Sequence, residues 1–243
     1  MNLKKIALLP LFIAPMTFAS VELDWGYHDH HAPEHWAKLN SQYQACTGSN
    51  QSPINIANTV KAQLPALKFD YKTEAKSIVN NNHTLKVYFN SGNILHLDDQ
   101  DFELKQFHLH SPSENTIQGK SYPMEMHLVH ASAQGELTVV AVMFEEGQEN
   151  AKLKQLWKRL PQQAGKAVEL KQAELASVFL PQQLDYYRFN GSLTTPPCTE
   201  GVRWVVIKQI QQASKQQIQA FSQLLAHPNN RPIQAQNARL VLE

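Results

Sequence analysis

The sequence predicts a mainly β fold (α+β class): one domain built on a mostly antiparallel sheet, with a few short peripheral helices. Many segments are short, rich in β-branched or aromatic residues and often alternating in polarity, which is typical of strands. Asn, Gly, Asp or Pro separates most of them, and strands joined by short turns usually pair antiparallel. The chain has 243 residues, of which 42% are hydrophobic, and no repeat, low-complexity tract or Gly/Ser linker marks a domain boundary.

Six segments carry the strand pattern. In chain order they are "HTLKVYF" (His83–Phe89), "ILHL" (Ile94–Leu97), "FELKQFHLH" (Phe102–His110), "MEMHLVH" (Met124–His130), "LTVVAVMF" (Leu137–Phe144) and "VRWVVI" (Val202–Ile207). Alternate side chains of a strand share a face, so these segments also predict which residues point the same way.

Two helices are expected at the periphery of the sheet. The stretch "AKLKQLWKRL", residues 151–160, has leucines and Trp157 at helical spacing on one face. A second helix is expected from Ser214, where Ser214 and Gln217 have the spacing of a capping box. We interpret both apolar stripes as faces that pack on the core.

Residues 1–19 have the pattern of a secretory signal peptide, with a basic pair, an apolar run and small residues that end at Ala19. The alternative is an uncleaved membrane anchor, but the apolar run is short and Pro10 and Pro15 interrupt it. Residues 20–243 would then form a periplasmic domain with no membrane span. It has 20 basic and 21 acidic residues, a net charge of −1, which gives no reason to expect a nucleic acid or an anionic membrane as partner.

The chain contains two cysteines, Cys46 and Cys198. In an exported protein such a pair is expected to form a disulfide, and the alternative is two buried free thiols. The bond would close a loop of about 150 residues, for which the chain-entropy model gives an upper figure of about 4–5 kcal/mol.

Histidines are concentrated in the two central predicted strands. Gln106, His108 and His110 alternate on one face of the first strand, and Glu125 and His127 share a face of the second. If the two strands are neighbours, three imidazoles can meet at one point, which is the arrangement of a catalytic zinc with one open position. The alternative is core histidines bonded to the backbone, but Gln106 and Glu125 lie where they can orient metal-binding rings.

Other histidines are assigned different roles. His130 is three residues after His127, an odd number of strand positions, so it should point into the opposite layer as a structural residue. The segment "HDHHA" (His28–Ala32) is expected to be a solvated N-terminal tail, and the alternative is an additional metal-binding cluster.

Several short blocks occur in a fixed order along the chain. They are "WGY" (Trp25–Tyr27), "PEHW" (Pro33–Trp36), "QSPINI" (Gln51–Ile56), "NNNH" (Asn80–His83), "QFHLHSPSE", "EMHLVH", "GSLTTPPCTEG" (Gly191–Gly201) and "NNRP" (Asn229–Pro232). In this order they make the chain similar to the bacterial, exported α-class carbonic anhydrases over nearly all of residues 20–243.

The resemblance implies a single domain on a large, twisted, mostly antiparallel sheet, with one Zn²⁺ per chain held by His108, His110 and His127 in a conical cavity. The implied activity is reversible, zinc-dependent hydration of CO2 to bicarbonate and a proton, by attack of zinc-bound hydroxide on CO2. The implied partners are CO2, water and bicarbonate. Both a monomer and a homodimer are compatible with the sequence.

Further roles follow by position from the resemblance. It implies these outer hydrogen-bond partners for the metal ligands: Gln106 for His108, Glu125 for His127 and the backbone carbonyl of Asn229 for His110. Glu114 and Thr194 match the gatekeeping pair of the family. An ionised Glu114 can only accept hydrogen bonds, which would fix the direction of the bond made by the Thr194 hydroxyl.

The resemblance also implies a proton shuttle at His83, which follows three asparagines and is expected to be exposed. An apolar pocket for CO2 would consist of Val129, Val139, Leu193, Thr195, Val202 and Trp204. Of these, Val129 is placed on the His127 face by strand alternation as well.

One departure from the family pattern is Asn115, at a position that is often His. Because Asn both donates and accepts, we expect rearranged local hydrogen bonds without loss of activity. Two rival functions are a non-enzymatic periplasmic metal carrier, which predicts more than one metal per chain, and a different metal hydrolase. The hydrolase needs a general base that Glu114 and Glu125 could supply only by losing their partners.

Overall fold

The computed structural model describes residues 25–161, 163–171 and 175–243. The expected signal peptide, residues 1–19, therefore lies outside the described residues. The strands, in chain order, are β1 (Asn55–Ile56), β2 (Lys68–Tyr71), β3 (Ala75–Asn80), β4 (Leu85–Phe89), β5 (Asn93–Leu97), β6 (Gln100–His110), β7 (Thr116–Ile117), β8 (Met124–Ala131), β9 (Leu137–Glu146), β10 (Val168–Glu169), β11 (Tyr186–Ser192), β12 (Glu200–Ile207) and β13 (Gln211–Ala213).

Helices are few and short, as the sequence predicts. The α-helices are α1 (Trp36–Leu39), α2 (Ala151–Trp157) and α3 (Lys215–Leu225). Single turns of 3₁₀-helix occur at Asp29–His31, Pro33–His35 and Ala176–Phe179, and a longer 3₁₀ segment spans Ser41–Thr47.

The large sheet has eleven strands, and its main path runs β10-β3-β4-β6-β8-β9-β12-β11. In addition β5 pairs with β6, β2 with β5 and β13 with β9, while β1 and β7 form a small separate sheet. Every pairing in the large sheet is antiparallel except those of β9 with β12 and β13. The predicted mostly antiparallel sheet is therefore confirmed. In the parallel pairs, β9 ends at Glu146, whereas its partners β12 and β13 begin only at Glu200 and Gln211.

The first predicted strand begins later than the sequence pattern indicates, at Leu85 and not at His83. The Asn81 side chain accepts hydrogen bonds from the backbone N–H groups of His83 (3.1 Å) and Thr84 (2.9 Å), and Asn82 adopts a φ of +67°. Asn side chains make such turns readily, and these bonds take the place of the ladder that a longer strand would need.

Helix α2 ends at Trp157, three residues before the end of its apolar pattern. Pro161 follows, and the residue before a proline is driven out of the helical region, so Leu160 cannot continue the helix. The α3 helix has the predicted cap: the Ser214 side chain accepts from the N–H of Gln217, and the Gln217 side chain accepts from the N–H of Ser214.

The two faces of the central strands pack against different groups. Phe107, Leu109 and Leu128 belong to the main hydrophobic core on one face. His130 is fully buried on the same side, where its Nε2 lies 2.5 Å from the Tyr71 hydroxyl oxygen. The expectation that His130 points into the layer opposite the other histidines is therefore confirmed.

Cys46 and Cys198 form a disulfide across a sequence separation of 152 residues. Both are buried in a small cluster with Trp36 and Tyr43. The cluster joins the N-terminal helical segment to the loop after β11. Among the described residues, no helix is long and apolar enough to cross a membrane.

Candidate metal centre

Three histidine side chains converge on the face of the sheet that is opposite the main core. Strand β6 carries His108 and His110, and strand β8 carries His127, whose Cα pairs with that of His108. Directly opposite residues of an antiparallel pair have Cβ atoms about 4.5–5.5 Å apart, so their rings can reach one ion. One nitrogen of each ring lies within 4.8 Å of the other two.

Each ring is oriented by a hydrogen bond at the nitrogen that faces away from this point. The pairs are His108 Nδ1 with Gln106 Oε1 (2.8 Å), His110 Nδ1 with the Asn229 carbonyl oxygen (2.7 Å) and His127 Nε2 with Glu125 Oε1 (2.8 Å). Because each partner atom is an acceptor, the outer nitrogen carries the proton and the inner nitrogen keeps its lone pair. The inner nitrogen of His110 is buried and has no hydrogen-bond partner, which fits a site for a metal ion.

The protonation of the rings also favours metal binding. Burial, followed by the charges of the neighbouring histidines, holds the pKa of His108 and His110 well below the usual range. Burial acts the same way on His127, but the Glu125 carboxylate outweighs it and the pKa of His127 is raised. A metal cation can take the place of that proton, since the carboxylate stabilises positive charge on the ring.

Glu125 is held by its own set of donors. Its Oε2 accepts from the backbone N–H groups of Glu114 (2.7 Å) and Asn115 (2.8 Å), and its Oε1 accepts from Asn115 Nδ2 (2.8 Å). The Asn115 Oδ1 accepts from the N–H of Ile54 at 3.1 Å. Asn115 therefore uses both ends of its amide, as its chemistry led us to expect.

Glu114 is buried beside the three rings. Its Oε1 accepts from the backbone N–H of Arg231 at 2.9 Å, and its Oε2 lies 3.4 Å from His110 Nε2 and 3.8 Å from His127 Nδ1. Burial raises the pKa of Glu114 to about 7, opposed by His127, the Arg231 N–H and the Thr194 hydroxyl. A dication held by the rings would lower this pKa again and favour the carboxylate.

A cavity of about 220 Å³ opens above the three rings. One wall is apolar and contains Val129, Val139, Leu193 and Trp204. The other wall is polar and contains Asn81, His83, Thr84, Lys86 and Gln106, while Thr194 and Thr195 also line the space. Val202, expected in the same pocket, is not among the residues that line it, and it is buried in the apolar cluster that also contains Trp204.

The comparisons with known proteins assign the chain to a family. The family model described as eukaryotic-type carbonic anhydrase matches residues 31–243. The chain belongs to the carbonic anhydrase family. It is 45% identical to a carbonic anhydrase of Pectobacterium atrosepticum over 92% of both chains, and 47% identical to one of Neisseria gonorrhoeae over 90% of this chain and 87% of that one.

Solved structures show the same fold. The α-carbonic anhydrase of Thermovibrio ammonificans, solved with the inhibitor sulfanilamide, superposes with a TM-score of 0.89 at 44% identity and covers 91% of this chain and 99% of that one. The predicted family, the fold class and the enzymatic nature of the chain, a carbonic anhydrase, are therefore confirmed.

In this carbonic anhydrase His83 lines the cavity and is half-buried, not exposed as expected. Its ring stacks on Trp25 with the centroids 3.9 Å apart and the planes 10° from parallel. Tyr27 is 6.5 Å away. Aromatic rings from the N-terminal segment therefore cover part of His83. This contact joins distant parts of the chain, so the sequence pattern around His83 could not predict it.

Several residues of the site are not among the site residues predicted from the sequence, although Lys86 is the alternative proton carrier if His83 is not the shuttle. Trp25, Tyr27 and Lys86 line the cavity, and Arg231 holds Glu114 through its backbone N–H. The Arg231 guanidinium also donates to Gln51 Oε1 at 2.8 Å. The blocks "WGY" and "NNRP" marked three of these positions as parts of the family pattern, whereas Lys86 had only the strand alternation as a signal.

The His28–Ala32 segment of this carbonic anhydrase is folded against the domain and is not a free tail. It forms a 3₁₀ turn, and the carbonyl of His31 accepts from Trp36 Nε1 at 2.9 Å. His28 and His30 remain exposed. Within the described residues, the only grouping of three or more potential metal ligands is His108, His110 and His127.

Proposed function

We propose that this carbonic anhydrase catalyses the reversible hydration of CO2 to bicarbonate and a proton, and that it depends on one Zn²⁺ per chain held by His108, His110 and His127. The observation that carries the proposal is the convergence of three inner ring nitrogens within 4.8 Å, each on a ring whose outer nitrogen is already anchored. Such a set of three neutral nitrogen ligands with one open position suits a catalytic zinc.

His108, His110 and His127 line the cavity, so a metal ion held by them would be accessible from it. When bound there, zinc supplies a Lewis acid that lets water act as a nucleophile near neutral pH, an effect for which carbonic anhydrases are the standard example. Gln106, Glu125 and the Asn229 carbonyl keep the rings in the orientation that zinc requires.

Thr194 and Glu114 are proposed to orient the nucleophilic water. Thr194 is near enough to Glu114 to lower its pKa, and we infer that the Thr194 hydroxyl donates to this carboxylate in the working enzyme. An ionised carboxylate only accepts, so the Thr194 proton points to Glu114 and the Thr194 oxygen is left to accept from the water. One lone pair of the water is thereby turned toward the substrate.

The apolar wall is proposed to hold CO2, which has no charge and no hydrogen-bond donor. Val129, Val139, Leu193 and Trp204 give it a surface from which water is readily displaced. Thr195 lies at the edge of this surface. The substrate then lies between the apolar wall and the oriented water.

Each hydration releases a proton, and His83 is proposed to carry it from the cavity to buffer. Imidazole titrates close to neutral pH, so it can take up and release protons under the same conditions. The position of His83 in the cavity lining, with part of its surface exposed, supports this role.

We further propose that residues 1–19 are removed on export and that residues 20–243 work in the periplasm. The Cys46–Cys198 disulfide supports an oxidising compartment. Mass spectrometry of material from the periplasmic fraction should show an N-terminus at Ser20, and an intact Met1 there would contradict the proposal.

The proposed function is tested by stopped-flow CO2 hydration on the purified protein, with metal content measured on the same sample. We expect one zinc per chain, activity that is lost when zinc is removed by a chelator, and recovery when zinc is restored. A protein that holds zinc but does not hydrate CO2 would contradict the proposal and favour a metal carrier.

A further inference from the structure

Lys86 is an ammonium group on the wall of the cavity. It lies on β4, where its Cα pairs with that of His108 on β6. Its neighbours Leu85 and Val87 point into the main core. Because alternate residues of a strand point to opposite faces, Lys86 shares the cavity face with His108.

The charge of Lys86 has no acidic partner in the cavity. Among the described residues that line the space there is no Asp or Glu, and Glu114 lies beyond them, buried under the rings. A cation that is partly removed from water gains stability from a counter-charge, and none of the described residues that line the cavity supplies one.

Lys86 also lies close to the three rings, because it lines the same cavity as His108, His110 and His127. Its Cβ is directly opposite that of His108, at a distance of about 4.5–5.5 Å for such pairs. A small anion placed above the rings would therefore lie in the field of Lys86.

We propose that Lys86 is an anion-recognition residue, whose ammonium group draws bicarbonate into the cavity and holds it, and other small monovalent anions, beside the three rings. The inference rests on the proposed function, because it takes bicarbonate to be the charged reactant. CO2 has no charge and gains little from an ammonium group. Lys86 thus acts on one of the two carbon substrates and distinguishes the charged from the uncharged one.

The test uses the Co²⁺-substituted protein, whose visible spectrum reports anion binding directly. Bicarbonate and, separately, thiocyanate are titrated at constant ionic strength into wild type, K86Q and K86M. Both neutral variants retain most of the stem of lysine, and both are checked for folding by circular dichroism and for one Co²⁺ per chain. We expect the dissociation constant of each anion to rise about tenfold, the lower end for a hydrogen bond to a charged group.

Two controls separate a local from a general effect of charge. K86R keeps the positive charge and should bind the anions with nearly wild-type affinity. K76Q removes an exposed lysine of β3 outside the cavity and changes the net charge by the same amount, so its affinities should not change. Unchanged affinities in K86Q and K86M, or an equal loss in K76Q, would overturn the inference.

The outcome is distinguishable from a failure of the proposed function. Stopped-flow CO2 hydration is measured on the zinc form of each protein, where the KM for CO2 should be nearly the same in wild type and K86Q. A wild-type protein that binds the anions through Lys86 but hydrates no CO2 would refute the function and leave the anion site in place. A loss of kcat in K86Q that imidazole buffer restores, with anion affinity unchanged, would make Lys86 a proton carrier and overturn the inference.

Discussion

At the scale of single residues, Glu125 shows how a buried charge is kept beside the metal ligands. It is fully buried, yet two backbone N–H groups, the Asn115 amide and the His127 ring surround its two oxygens at 2.7–2.8 Å. A buried carboxylate is stable only when it is hydrogen-bonded in this way. The backbone donors come from the loop after β6, so that loop helps to set the orientation of His127.

His127 and His130 are three residues apart on one strand, and replacing each of them with alanine should have different effects on zinc binding and on stability. His127→Ala removes one of the three converging nitrogens, so zinc and CO2 hydration should both be lost. His130→Ala removes the partner of Tyr71 in the core and should reduce the free energy of unfolding by about 2–4 kcal/mol, with zinc retained. Metal analysis, stopped-flow assays and urea unfolding measure the three effects.

The pair of variants serves as its own control, since both remove a buried imidazole from β8. If His130→Ala lost zinc while His127→Ala kept it, the assignment of faces would be wrong. Equal zinc loss in both would indicate that the strand as a whole, and not one nitrogen, holds the metal.

His83 should affect proton export without affecting the attack on CO2. His83→Ala is expected to reduce kcat in weak buffer, with a loss of at most about 10²–10⁴-fold for a positioned acid–base group. The kcat/KM for CO2 should be nearly unchanged, because the attack precedes the proton transfer. Imidazole buffer should restore much of kcat, and stopped-flow measurements across buffer concentrations give both constants.

A suitable control is Trp25→Phe, which keeps an aromatic ring against His83 but makes it smaller. It should leave most of kcat in place if the imidazole itself carries the proton. An equal fall of kcat and kcat/KM in His83→Ala would show that His83 shapes the cavity and is not a shuttle.

At the scale of elements, the loop between β11 and β12 carries Thr194 and is anchored at both sides. The N–H of Leu193 donates to the Thr199 carbonyl at 2.9 Å. Cys198 is covalently tied to Cys46, and its carbonyl accepts from Gln51 Nε2 at 3.1 Å. These contacts connect the loop to the N-terminal segment, so the position of Thr194 depends on chain that is about 150 residues away.

Cys198→Ser should therefore reduce both stability and activity. The loss of the cross-link should lower the free energy of unfolding by up to about 4–5 kcal/mol. The rate of CO2 hydration should also fall, because Thr194 is no longer held in one position. Thermal unfolding and stopped-flow assays measure the two effects, and peptide mapping without reductant shows the bond in the wild type.

Cys46→Ser and the double variant provide matched controls. All three proteins lack the same bond, so their thermal unfolding midpoints and their rates of CO2 hydration should be similar. Reductant should have no further effect on either quantity. A Cys198→Ser protein as stable and as active as the wild type would contradict a structural role for the bond.

At the scale of the whole molecule, the central sheet separates two different environments. One face packs the main core beside the buried His130, and the other carries the three histidines that could hold a metal ion. Burial lowers the pKa of His130 from 6.5 to about 4, so the folded protein holds this ring unprotonated down to about pH 4. The unfolded chain takes up the proton at a higher pH.

This difference predicts a loss of stability in acid. Between pH 6.5 and about 4 the unfolded state binds the additional proton, so the free energy of unfolding should decrease as the pH falls through this range. The total decrease in the free energy of unfolding from this group is about 3 kcal/mol at most. It does not grow further below about pH 4, where the folded protein also binds the proton. Urea unfolding of wild type and His130→Gln at several pH values measures it.

The glutamine variant keeps a polar group near Tyr71 but does not titrate. Its stability should fall less steeply with acid, and the difference between the two proteins cancels the contribution of the metal ligands. Parallel pH profiles for the two proteins would rule out His130 as the source.

Much of the metal centre could be predicted from the sequence, because strand alternation is a local property. The period of two along β6 and β8 places His108, His110 and His127 on one face and His130 on the other, and it places Gln106 and Glu125 beside their rings. The short strands, their turns and the α3 cap are encoded in a few consecutive residues each. The family blocks added Asn229, Glu114 and Thr194, which periodicity alone does not connect.

Only the tertiary structure decided the contacts that depend on register and on distant segments. Three examples involve residues that are far apart in the chain: the stacking of Trp25 on His83, the packing of Val202 in the cluster that includes Ile54, and the position of Lys86 opposite His108. Local patterns specify which face a side chain occupies. Which partner it meets there depends on how strands align and where loops close, and those are set by the packing of the whole sheet.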